Sequence, residues 1–163
     1  MRKLTATLCL TLTILLGSVG MSASADYQKG VTAYKSGDYV TALREWKPLA
    51  KQGNALAQNN LGAMYRKGRG VPQDQKTAVK WYKLAAEQED ADAQTSLAAM
   101  YAKGEGVIQD NVYAHMWSNI AASQGNENAS NNRDIVSKRM TPADLSAAQK
   151  LARECVRKKY IGC

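Results

Sequence analysis

Residues 54–89 read NALAQNNLGAMYRKGRGVPQDQKTAVKWYKLAAEQE, and residues 90–125 read DADAQTSLAAMYAKGEGVIQDNVYAHMWSNIAASQG. At this single offset 18 of 36 positions are identical, among them Gln58, Leu61, Met64, Tyr65, Gly68, Gly70, Asp74, Ala78, Trp81 and Ala85. A period of about 20–50 residues marks a solenoid, in which one supersecondary unit stacks on copies of itself. Each copy divides at its glycines. In the first, Ala57, Leu61, Met64 and Tyr65 follow helical spacing and predict a helix A over residues 55–67. The run from Gly68 to Pro72 predicts a turn, with Val71 plugging it onto the core. Asp74 then caps a helix B over roughly residues 74–88, whose buried face is expected to be Ala78, Trp81, Ala85 and the stem of Tyr82. The second copy places the same helices at residues 91–103 and 110–124.

Upstream, residues 26–35 read as a helix and Gly37-Asp38-Tyr39 as a turn. Ala42, Leu43, Trp46, Leu49 and Ala50 fall on one face of a helix over residues 40–52. Asp38, Asp74 and Asp110 lie 36 apart, as do Ala42, Ala78 and Ala114. This unit has a shorter inter-helix loop, as expected of a terminal capping unit. Downstream, residues 127–139 predict a fourth helix A that has diverged: Arg133 stands for the repeated leucine and Ser137 for the repeated tyrosine. Thr141-Pro142-Ala143-Asp144 is a helix start, with a hydroxyl cap, proline at the first turn and a carboxylate behind it. The helix that follows, to about residue 159, puts Leu145, Ala148, Ala152, Cys155, Val156 and Tyr160 on one face and is expected to cover the open end of the stack. No stretch alternates as a strand does. The fold class expected is all-α: an α/α helical-hairpin solenoid of about three repeats plus a C-terminal capping helix.

The first 25 residues stand outside this fold. Met1-Arg2-Lys3 is a basic start, residues 4–19 are apolar and uncharged, and Ala23-Ser24-Ala25 supplies small residues for cleavage. This reads as a signal peptide cut after Ala25; the run is short for a membrane anchor. The expected layout is a signal peptide at 1–25, an N-terminal repeat at 26–53, repeats at 54–89 and 90–125, and a divergent half-repeat with the capping helix at 126–163. The chain is expected in the periplasm or secreted, with no stable membrane insertion once the signal is gone. The remaining 138 residues carry 20 basic and 14 acidic side chains, a net charge of +6. That balance favours an acidic partner. No basic-aromatic strip or nucleic-acid motif is present, so nucleic acid is not expected. Cys155 and Cys163 are the two cysteines left in an exported chain, and they are expected to pair. A disulfide closing so short a loop contributes roughly 2–3 kcal/mol.

The pattern Ala57-x3-Leu61-Gly62-x2-Tyr65-x2-Gly68-x-Gly70-Val71-x2-Asp74-x3-Ala78-x2-Trp81-Tyr82-x2-Ala85-Ala86 resembles the Sel-one-like repeat, a relative of the tetratricopeptide repeat. In the next copy Ala98 replaces the helix A glycine and Ser118 stands at the place of Tyr82. The first unit, with Gly30, Gly37, Asp38, Tyr39, Ala42 and Leu43, is more similar to a tetratricopeptide repeat. The resemblance implies stacked antiparallel helix pairs and a role as adaptor, assembly factor or host-interaction protein. It also implies that helix A lines a concave groove. Carried over position by position, the groove candidates are Asn59, Asn60, Arg66 and Lys67, then Thr95, Ser96 and Lys103, then Asn131, Asn132 and Lys138. Amides can bond a peptide backbone and cations can take a carboxylate.

Other chemistry finds little support. Gly68-x-Gly70 and Gly104-x-Gly106 follow helices and lack the lysine of a phosphate loop, so they read as repeat turns. His115 is the sole histidine. It occupies the position of Leu43 and Val79 and reads as a partly packed helix residue rather than a base or ligand. Trp46, Trp81 and Trp117, with Tyr34, Tyr65 and Tyr101, recur with the repeat and read as core, not as a sugar platform. Arg153, Arg157, Lys158 and Lys159 read as a solvated, basic helix end. The expected function is protein or peptide binding in the groove, without catalysis, metal or cofactor. The alternative is an envelope enzyme or ligand-binding protein acting on an anionic substrate such as peptidoglycan. A third reading is a structural adaptor using its convex face or basic tail.

Overall fold

The computed structural model describes residues 19–163, with side chains from Tyr27 onward. Residues 1–18, most of the expected signal peptide, lie outside the described residues. Among the described residues there are eight helices: α1 (Val19–Lys35), α2 (Tyr39–Lys51), α3 (Ala55–Lys67), α4 (Gln75–Ala86), α5 (Ala91–Lys103), α6 (Asn111–Ser123), α7 (Glu127–Ser137) and α8 (Pro142–Arg157). None is long and apolar enough to cross a membrane. α1 runs through the expected cleavage junction between Ala25 and Asp26.

α1–α2, α3–α4 and α5–α6 are antiparallel hairpins, each stacked on the next through its neighbouring helices. The chemistry of the helix starts repeats with them. Asp38, Asp74 and Asp110 accept from the backbone N–H of Thr41, Thr77 and Tyr113, which satisfies a donor that the helix itself cannot. Asn54, Asp90 and Asn126 do the same for the A helices. Thr141 and Asp144 form the reciprocal capping box at the start of α8.

Successive A helices touch: α3 meets α5, and α5 meets α7. Neither α1 with α3 nor the B helices α2, α4 and α6 with one another match these contacts, which is the pattern expected if α3, α5 and α7 line the concave side. α8 departs from the repeat. It packs on α6 instead of closing a hairpin with α7, and so covers the last B helix. Ala148, Ala152 and Cys155 are its buried residues; Val156, expected on the same face, is 47% exposed. Cys155 and Cys163 form a disulfide with Cα atoms 5.7 Å apart, which ties the tail back to α8.

Two inter-unit devices explain identities that helix periodicity does not. Gln58 Nε2 donates to the Ala50 carbonyl, and its Oε1 accepts from Gln88. Gln94 does likewise with Ala86 and Gln124, at 3.1 and 2.9 Å. Each buried amide satisfies a carbonyl at the end of the preceding B helix. Replacing Gln94 by leucine orphans both partners and is expected to cost about 1–3 kcal/mol, read as a lower urea midpoint.

The second device is the loop glycine. A Cβ on Gly70 would lie 2.8 Å from the Tyr39 carbonyl oxygen, and one on Gly106 would lie 2.4 Å from that of Gln75. Tyr39 and Gln75 are the first residues of α2 and α4. Each turn therefore seats its backbone on the preceding unit.

The aromatic register corrects the sequence reading. Trp46, not Trp81, belongs with Tyr82: both lie 36 apart and both are buried on a glycine of their own A helix. A Cβ on Gly30 would lie 2.4 Å from Trp46 Nε1, and one on Gly62 would lie 2.7 Å from Tyr82 Cδ1. Trp81 is only half-buried, whereas Trp117 is fully enclosed. An alternation of ring and glycine, not a tryptophan column, closes the first two hairpins.

Candidate peptide-binding groove

The concave face is built by α3, α5 and α7, and its candidate residues stack in register at 36-residue intervals. Asn59, Thr95 and Asn131 make one column; Asn60, Ser96 and Asn132 make a second. Lys67, Lys103 and Arg139 make a third, of cations throughout. Arg66 and Lys138 belong to a fourth column, interrupted by Ala102.

These side chains are not equally free to meet a ligand. Asn60 Nδ2 donates to the Tyr27 hydroxyl at 3.2 Å, so it fastens α3 to α1. The Thr95 hydroxyl donates to the Ala91 carbonyl within its own helix. Arg66 and Ser96 flank the phenol of Tyr82. Burial raises that phenol above its ordinary range, and the Arg66 charge and the Ser96 hydroxyl partly offset the shift. Lys103 reaches Glu105 at 3.8 Å, an exposed pair of little strength. Asn131, Lys67 and Lys138 are exposed and Asn59 half-exposed, with no side-chain partner among the described residues.

One pair of candidates is brought together around a cavity. Lys103 and Asn132 line a pocket of about 200 Å³ between α5, α6 and α7. Its walls are mostly apolar, from Ala98, Ala99, Ala102, Ile135 and Val136, and Arg139 joins Lys103 as a second cation. Ser118 borders it, fully buried, with no hydrogen-bond partner for Oγ among the described residues. Sequence reasoning missed Ser118, Ile135 and Arg139 as site residues. The signal was present in the Gly62–Tyr82 to Ala98–Ser118 exchange, which reads as harmless divergence until the volume is placed in space. Arg69 was also missed. It donates to the Tyr34 hydroxyl at 2.7 Å and lies over the rings of Tyr34 and Tyr39, which ties the α3–α4 loop to the first hairpin.

Among the described residues no three His, Cys, Asp or Glu side chains are placed to hold a metal. His115 is buried in α6 rather than partly packed, and its Nδ1 has no partner among the described residues. Burial lowers its pKa first and the Arg133 charge lowers it further, against a smaller opposing effect of Asp134. The unfolded chain therefore takes up this proton at a higher pH than the folded one. Stability is expected to fall as pH drops through about 6.5, with the loss complete once the folded histidine protonates. His115→Leu should flatten that part of a thermal-denaturation pH series.

The Sel1 repeat family matches residues 55–90 and 91–126. No curated protein sequence matches the chain. Among solved structures, a protective antigen of uropathogenic Escherichia coli with an SLR fold superposes with a TM-score of 0.80 at 29% identity, covering 85% of this chain. A Sel1 repeat protein from Oxalobacter formigenes superposes with a TM-score of 0.63 at 36% identity over 66% of this chain. This chain spans 31% and 44% of those two proteins. Residues 55–90 and 91–126 are thus two Sel1 repeats, set in a solenoid of stacked hairpins that shares the fold of these solved structures.

Proposed function

We propose that this chain is exported and binds an extended, acidic peptide or protein segment along its concave face, as an adaptor or host-interaction protein without catalytic activity. The observation that carries the reading is the column Lys67, Lys103 and Arg139, at the last residues of α3 and α5 and in the turn just beyond α7, beside a column of amides and hydroxyls. Cations at solenoid spacing match carboxylates along an extended chain, and the stacked units fix the backbone from which each side chain reaches, so that only side-chain rotamer freedom is lost on binding. Likeness to an antigen of a pathogenic bacterium supports display to an outside partner. The disulfide supports folding in an oxidising compartment.

The test is a peptide array of acidic and neutral sequences probed with the chain lacking residues 1–25. Acidic peptides are expected to bind, with affinity falling as salt rises. The combined change Lys67→Ala, Lys103→Ala and Arg139→Ala should remove that binding with unchanged circular dichroism. Equal binding by the variant would sink the groove reading.

A further inference from the structure

We propose that the pocket between α5, α6 and α7 is a receptor for one tyrosine side chain of the bound segment, the ring entering from the groove. The inference rests on the groove reading and adds to it the residue that anchors the ligand.

The argument starts from the repeat. In the first hairpin the B helix fills this position with Trp46, seated on Gly30; in the second it uses Tyr82, seated on Gly62. In the third the equivalent residues are Ser118 and Ala98, so the ring is gone and the notch that received it is partly filled. The surrounding helices keep their stacking, and a pocket of about 200 Å³ is left where the repeat's own aromatic group would lie. For scale, an apolar cavity of about 150 Å³ takes up benzene.

The lining also repeats. Asn132 stands where Ser96 stands beside the Tyr82 phenol, and Ala102 stands where Arg66 does, which trades a cation for apolar wall.

The chemistry of the walls selects the occupant. Ile135, 51% exposed, and Val136 offer apolar contact to a ring face. Ser118 borders the pocket with its Oγ enclosed and unpartnered among the described residues; a rotation of that side chain would turn the hydroxyl to an incoming phenol O–H. Lys103 and Arg139, which also line the pocket, are placed for a carboxylate attached to the same residue or its neighbour. An aromatic anchor in a concave pocket with polar groups around it is the usual source of most of a peptide's binding energy.

N-acetyl-L-tyrosine is the probe, titrated into the mature chain while methyl and amide resonances are followed. Saturable shifts are expected at Ala98, Ala99, Ile135 and Val136, and weaker binding for N-acetyl-L-phenylalanine, which lacks the hydroxyl. The double change Ala98→Gly with Ser118→Tyr restores the pair found at Gly62 and Tyr82; it should weaken the probe at least about tenfold. Ile135→Asp is a second variant, at an exposed position that carries little risk to folding, and should weaken it too. Lys103→Gln with Arg139→Gln should weaken N-acetyl-tyrosine but leave N-acetyl-tyrosinamide unchanged.

No saturable shift, or equal affinity in both blocking variants, would overturn the pocket. So would the same methyl shifts appearing on concentrating the chain without probe, since a second copy would then be the occupant. The two proposals fail separately. If the blocked pocket still binds acidic peptides that the triple cation variant loses, the pocket falls and the groove stands.

Discussion

Gly106→Ala is expected to destabilise the chain by about 2–5 kcal/mol, from backbone strain and overpacking together, and to lower the urea midpoint accordingly. Gly106 has a φ of +74°, where an alanine is strained in any surroundings. Its added Cβ would also fall 2.4 Å from the Gln75 carbonyl oxygen and 2.5 Å from the carbonyl carbon. Those atoms belong to the first turn of α4 and cannot swing aside as a side-chain tip could. Gly125 provides the internal control. Its φ is +88°, yet nothing lies within 4 Å of its Cβ position. Gly125→Ala should therefore show the strain cost alone, about 1–2 kcal/mol. Equal losses at the two glycines would mean that the turn does not carry the stacking contact.

The second large effect is at Tyr82. Tyr82→Ser is expected to cost about 3–5 kcal/mol, because the ring is 1% exposed and nothing replaces it. Gly62→Ala alone should cost about 1–3 kcal/mol, since the methyl would press into the ring. The double variant reproduces the Ala98–Ser118 pair of the next unit and should cost less than the sum of the two, by about 1–2 kcal/mol. Urea unfolding of the four proteins in parallel measures the coupling. Strict additivity would show that glycine and ring are not one packing unit, and would remove the basis for reading Ser118 as a missing ring.

The architecture was legible in the sequence because it is written locally. Helix A was read at residues 55–67 and 91–103, and α3 and α5 occupy those same residues. The Asp74 cap and the Thr141–Asp144 start are equally legible, because a cap is a contact over three residues, and the 36-residue register carries the same cap to Asp38 and Asp110 in the structure. The Cys155–Cys163 pair followed from the chemistry of the compartment and is present.

What escaped the sequence is what lies between units. Spacing shows the glycine turns only as reversals of the chain; their seat on Tyr39 and Gln75 joins residues more than 30 apart. Residue type sets Trp46 beside Trp81, although its register partner is Tyr82. The groove residues were legible as positions but not as free groups. Asn60 is occupied by Tyr27 and Thr95 by its own helix, and neither bond leaves a trace in spacing. The pocket is a volume left by an absent side chain, and an absence shows in a sequence only once the ring it replaces is known to be buried.

The central claim is that α3, α5 and α7 form a ligand-binding face. It is tested most directly by titrating an acidic, tyrosine-containing peptide into isotope-labelled mature chain and mapping the amide and methyl shifts. The account predicts saturable shifts along Asn59, Thr95, Lys103, Asn131 and Asn132, largest around Ser118 and Val136, with the exposed residues of α2 and α4 unmoved. Shifts confined to those B helices, or to the basic end of α8, would contradict it.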